Sequence, residues 1–100
     1  DVHVEPDVEA YIVSLVHATR RDSRVTVGAS PRGSLALLKL ARAQPALEGR
    51  RFVIPDDIKT FVHPALAHRL VLQPEYWMKR QAADEVLDSI LESVPVPVLP

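Results

Sequence analysis

Val8, Tyr11, Ile12, Leu15 and Val16 recur at the i, i+3, i+4, i+7, i+8 spacing that lays one apolar stripe along a helix. Glu5, Asp7 and Glu9 open this stretch and Arg20 and Arg21 close it, both in keeping with the helix dipole. The pattern predicts a helix from about Pro6 to Thr19. Residues 22–30 read as a connection, in which Val25-Thr26-Val27 alternates like a very short strand and Gly28 allows a turn with positive φ. Ser30-Pro31 is a helix start. A serine N-cap accepts a bond from an early backbone N–H, and proline at the first helical position has no N–H to leave unpaired. The helix that follows is expected to turn Leu35, Leu38, Ala41 and, at its far end, Leu47 inward. Pro45 removes a ladder bond and crowds the carbonyl of Ala41, which predicts a kink, or an early end with a restart towards Gly49.

Phe52-Val53-Ile54 is short, apolar and β-favouring, and Pro55-Asp56-Asp57 then opens another helix with two carboxylates in its first turn. Ile58, Phe61 and Val62 form its inward face, and Pro64 is expected to break or restart it. Arg69-Leu70-Val71-Leu72 reads as a second short strand, with Phe52 to Ile54 as its expected partner. A last helix is predicted from Ala82 to Ser93, with Val86, Leu87, Ile90 and Leu91 facing the core; Glu75 to Gln81 has no clear period. Pro95 and Pro97 place residues 95–100 in an extended tail. The expected fold is all-α: one domain over residues 1–100, a small bundle of about four helices with at most a minor two-stranded patch.

Composition adds constraints to this picture. Apolar residues make up 47% of the chain and charged residues 25%, a balance that argues for a folded globular domain. Twelve basic and thirteen acidic side chains nearly cancel, so no net field draws the chain to nucleic acid. No apolar run approaches the length of a membrane span, and the first residues do not resemble a signal peptide. Cysteine is absent, which excludes disulfides and thiolate metal sites and suits a reducing compartment. The chain does not begin with Met and reads as a piece of something longer.

Groups that could perform chemistry are few. There is no glycine-rich loop ending in Lys-Ser or Lys-Thr to cradle phosphates. Asp56-Asp57, the one adjacent pair of carboxylates, is explained by its place at a helix start. His63 and His68 lie five apart with Pro64 between them, which is not the spacing of a helical zinc pair; with His3 and His17 they read as surface or crevice residues. No metal site is expected. Arg20, Arg21 and Arg24 form one basic cluster and Arg50-Arg51 another, but neither contains an aromatic for base stacking. A small helical module that binds nucleic acid through the first cluster, or protein through Tyr76-Trp77-Met78, stays open as an alternative. Arg32 differs by position, since it follows Ser30 and Pro31 into the first turn of a helix, where backbone N–H groups and the dipole favour anions. A guanidinium there can grip a phosphate, or it can simply face solvent.

The stretch Gly28-Ala29-Ser30-Pro31-Arg32-Gly33 resembles the sensor 2 motif that opens the lid helix of MoxR-type AAA+ ATPases. Leu37-Leu38-Lys39-Leu40-Ala41-Arg42-Ala43, Leu47-Glu48-Gly49-Arg50, Pro55-Asp56-Asp57-Ile58-Lys59 and His68-Arg69-Leu70 follow in the family's order. Ile90-Leu91 and Val94-Pro95-Val96-Pro97 resemble its C-terminal end, so the likeness covers nearly the whole chain. Ile54, where the family usually has Thr, Pro45 and Glu75 to Gln81 depart from the pattern. The resemblance implies an AAA+ lid-like bundle whose Arg32 touches the γ-phosphate as the catalytic contact, with Ser30 and Pro31 beside the nucleotide. It implies ATP and Mg2+ bound by the full-length protein and none by this piece alone, which should show no ATPase activity of its own. The implied partners are an α/β ATPase core in the same chain, neighbouring subunits of a homo-hexamer, and client proteins with von Willebrand factor A domains, in the cytoplasm.

Overall fold

The computed structural model describes residues 2–98. Helix α1 (Pro6–Arg21) leads to strand β1 (Val25–Val27), and helices α2 (Pro31–Leu47) and α3 (Pro55–Leu66) follow. A 3-10 turn at Ala67–Arg69, strand β2 (Val71–Leu72), a second 3-10 turn at Pro74–Tyr76 and helix α4 (Ala82–Ser93) complete the order. The result is a four-helix bundle with a small antiparallel two-stranded patch. The apolar stripes meet in one core: Val8, Leu15 and Val16 of α1, Leu37 and Ala41 of α2, Ile58, Val62 and Leu66 of α3, and Val86, Leu87 and Ile90 of α4. Residues 95–98 carry no regular structure, and the rest of the expected tail, Leu99 and Pro100, lies outside the described residues.

Helices α1 and α4 match their expected spans to within two residues. Leu91 packs against the core without being fully buried. The inward face of α2 differs from expectation. Gly33, Leu37, Ala41 and Pro45 are its buried positions, whereas Leu35 is 60% and Leu47 84% exposed and Leu38 is half-buried. Four-residue steps align the small residues Gly33 and Ala41 with Leu37, and this row is narrow enough for α2 to pack closely on its neighbours.

Neither proline inside a helix ends it. Pro45 lies in the last turn of α2, where little ladder remains to be lost. The carbonyls at the helix end find donors in the turn that follows. The Glu48 N–H reaches Gln44 O and Pro45 O, that of Gly49 reaches Ala46 O, and that of Arg50 reaches Pro45 O at 2.8 Å. Gly49 makes this closure possible with φ of 77°, a left-handed conformation that glycine adopts without strain. Helix α3 also runs through Pro64, carrying the buried Ala65 and Leu66 into the core. Burial of those two side chains offsets the missing ladder bond.

The strand pairing is also not the expected one. β2 pairs with β1, Val25 opposite Leu72 and Val27 opposite Val71. Phe52 bridges His3 instead, in parallel, and the Val53 N–H donates to His3 O. Val53 and Val4 are both buried, so this arrangement shields apolar side chains that a pairing with β2 would have to carry elsewhere.

A candidate nucleotide-facing corner at the start of α2

The corner begins in the last turn of α1. Thr19 is fully buried; among the described residues Asp57 is the other buried polar or charged side chain set apart from the apolar core. The Thr19 hydroxyl donates to Val16 O at 2.6 Å and accepts the N–H of Ala29 at 2.9 Å. The Arg20 guanidinium donates to Ala29 O at 3.3 Å, so both backbone groups of Ala29 are held by α1. Gly28 lies against the same turn. A Cβ there would stand 2.7–2.9 Å from Arg20 atoms, two of them backbone. Its φ is not positive, so Gly28 serves close approach rather than the turn expected of it.

Helix α2 starts directly from this fixed segment. Ser30 is the N-cap as predicted: its hydroxyl accepts the Arg32 N–H at 3.2 Å, and Pro31 occupies the first helical position. Gly33 brings the first turn down onto the core, since a Cβ there would lie 3.1 Å from Leu66 and 3.2 Å from Ala29. Ser30, Pro31 and Arg32 are all exposed. Arg32 forms no ion pair among the described residues. A depression of about 330 Å3 lies between α1 and the start of α2, lined by Val13, Val16, His17, Arg20, Pro31 and Ser34 but not by Arg32. Chemically, the corner offers an unengaged guanidinium at the positive end of a helix on a rigid mount, a combination suited to a phosphate oxygen.

Two other arginines, Arg24 and Arg50, are engaged in ion pairs. Arg24 makes a bidentate pair with Asp22 at 2.9 and 2.8 Å, and this bonding holds the Asp22 carboxyl below the usual carboxylate range. Arg50 joins Glu48 at 2.7 Å and Asp57 at 2.9 Å. Asp57 is therefore more than a helix-start carboxylate. It is buried, pairs with Arg50 and accepts the Ile54 N–H at 2.9 Å. Because Ile54 has no side-chain acceptor, only this returning half of a capping box is made. Its neighbour Asp56 is exposed.

His63 bonds Asp88 at 2.8 Å in the crevice between α3 and α4, and His68 is exposed. Among the described residues no three acidic, histidine or cysteine side chains cluster as metal ligands. Trp77 is 67% exposed but ties its indole N–H to Leu72 O at 2.8 Å. No helix of the described residues is long and apolar enough to cross a membrane. Sequence reasoning passed over Thr19 and Gly33. Thr19 had a signal, because it lies four residues after Leu15 and three after Val16, on the apolar stripe.

Comparison with known proteins matches this architecture to a family. A model described as the AAA lid domain matches residues 17–90. The protein YeaC of Bacillus subtilis is 40% identical over 98% of the chain, and Protein MoxR of Methylorubrum extorquens is 36% identical over 96%. Chaperone MoxR1 of Mycobacterium tuberculosis is 33% identical over 87% of the chain. The chain spans 31%, 32% and 26% of these relatives, respectively, about a third of their length or less. The crystal structure of a putative ATPase from Cytophaga hutchinsonii superposes with a TM-score of 0.89 at 29% identity, over 97% of this chain and 32% of that one. With α2, α3, the strand patch and the corner at α2 inside residues 17–90, the chain belongs to the AAA lid domain family and is related to the lids of MoxR-family ATPases.

Proposed function

We propose that this lid closes over the ATP site of a MoxR-type AAA+ ATPase and that Arg32 is its sensor 2 arginine, directed at the γ-phosphate. The observation that carries the reading is the placement of Arg32: at the second position of a capped helix, exposed, and without an ion pair among the described residues. Negative charge spreads over the phosphoryl oxygens as the phosphoryl group is transferred, so a preorganised cation stabilises the transition state more than the ground state. Ser30 and Pro31 contribute by fixing the helix start that aims it.

In this reading an α/β core outside this chain would hold Mg2+ and supply the phosphate cradle. Such a parent would work in the cytoplasm as a chaperone-like assembly machine, as a homo-hexamer acting on clients with von Willebrand factor A domains. The piece alone would not turn over ATP. This reading assigns no nucleic-acid partner; within the basic cluster Arg24 pairs with Asp22 and Arg20 donates to Ala29 O.

Arg32→Ala in the full-length ATPase should lower the rate of ATP hydrolysis by roughly 10²–10³-fold, the usual cost of one transition-state donor. Steady-state phosphate release measures it. Wild-type turnover and nucleotide affinity in that variant would reject the sensor role.

A further inference from the structure

We propose that Thr19 is a positioning residue for Arg32, acting through the backbone of Ala29; the proposal rests on the sensor reading above. Thr19 has no exposed surface and cannot itself meet a ligand. A valine of the same shape would fill its place in the core equally well, so burial alone does not account for a hydroxyl there. A threonine hydroxyl near the end of a helix commonly donates to a carbonyl in the preceding turn, as Thr19 does to Val16. The second bond is unusual in reach. Thr19 also accepts the N–H of Ala29, ten residues on, in the residue that precedes the N-cap of α2. Ala29 is itself fully buried, so without that hydroxyl its N–H would be shut away from water with no acceptor.

Only Ser30 and Pro31 separate Ala29 from Arg32, and the Ser30 cap locks them into one turn. A shift of Ala29 therefore carries the guanidinium with it. Gly28 reinforces the same register by touching the backbone of Arg20. Catalytic groups tolerate little displacement: about 1 Å can cost on the order of 10²-fold in rate. Thr19 thus links the last turn of α1 to the placement of the sensor.

A double-mutant cycle in the full-length ATPase tests this, because a purely structural role would act regardless of residue 32. Thr19→Val should lower ATP turnover per folded protomer by roughly ten-fold, and Thr19→Ser, which keeps the hydroxyl, should restore it. In the Arg32→Ala background Thr19→Val should have almost no further effect. Gly28→Ala reaches the same corner independently, since its Cβ must push residue 28 off α1, and it should show the same loss of effect when Arg32 is absent. Equal losses from Thr19→Val and Gly28→Ala in both backgrounds would overturn the proposal, as would wild-type turnover in Thr19→Val. An Arg32→Ala variant with wild-type turnover would sink the sensor reading first, and the positioning role with it. A slow Arg32→Ala variant combined with an unaffected Thr19→Val would reject the positioning role alone.

Discussion

The two ends of α2 both sit beside an arginine, and they use it in opposite ways. At the C-terminal end Arg50 is turned inward against Glu48 and the buried Asp57, and the carboxylates hold its guanidinium in the charged form. At the N-terminal end the Thr19 hydroxyl and the Arg20 guanidinium hold the neutral Ala29 backbone, and Arg32 stays outside. A buried carboxylate such as Asp57 requires a partner, so Arg50 cannot be released without leaving a charge stranded. A hydroxyl that meets an amide makes no such demand. The contrast shows how one helix can be anchored at both ends while keeping one cation available.

The sharpest way to break that contrast is at the C-terminal end. Asp57→Ala removes the ion pair and the bond to the Ile54 N–H together and should cost about 3 kcal/mol, read as a lower urea midpoint for unfolding of the chain. Arg32→Ala should leave the same midpoint nearly unmoved, because an exposed residue without a partner contributes little. If the two variants lost equal stability, the ends would be alike after all. A smaller effect belongs to the cap of the N-terminal end. Ser30→Ala should cost about 1 kcal/mol, measured by the same unfolding curve.

The smallest effect sharpens the comparison by pH. Asp22, close to the N-terminal corner, is held below the ordinary carboxylate range chiefly by its hydrogen bonds from Arg24. A depressed folded-state pKa contributes stability above the unfolded value and loses it as the pH falls through the folded one. Wild-type stability should therefore fall on acidification below the ordinary range of Asp. Asp22→Asn should flatten that fall by about 0.5 kcal/mol, the scale of a partly exposed pair. An unchanged acid limb in the variant would show that Asp22 contributes nothing there.

Local periodicity was enough to place α1 and α4, whose apolar residues repeat within a single helix. The Ser30-Pro31 start was equally legible, since capping involves only adjacent residues. What escaped was set by partners distant in the chain. Val71 and Leu72 suit any strand partner, and only the packed bundle brings them to Val25 and Val27 rather than to Phe52. On α2 Ala41 faces inward as expected, but Leu35 and Leu47 face out and Gly33, Leu37 and Pro45 complete the buried row instead. Pro64 was expected to break or restart its helix and Pro45 to kink its own or end it early, yet both helices continue past them, supported by the burial around each proline. At the candidate site, the exposure of Ser30, Pro31 and Arg32 follows from their position, while the tie from Thr19 spans the β1 connection.

That tie also gives the corner a built-in reporter. Ala29 belongs to neither a helix nor a strand, and a connecting residue of that kind ordinarily trades its amide hydrogen with solvent quickly. Here the hydrogen is buried and bonded to a side chain of α1, so deuterium can enter only when the junction between α1 and α2 opens. A single slow amide at position 29 thus records the opening of the corner that carries Arg32, separately from the melting of the helices on either side.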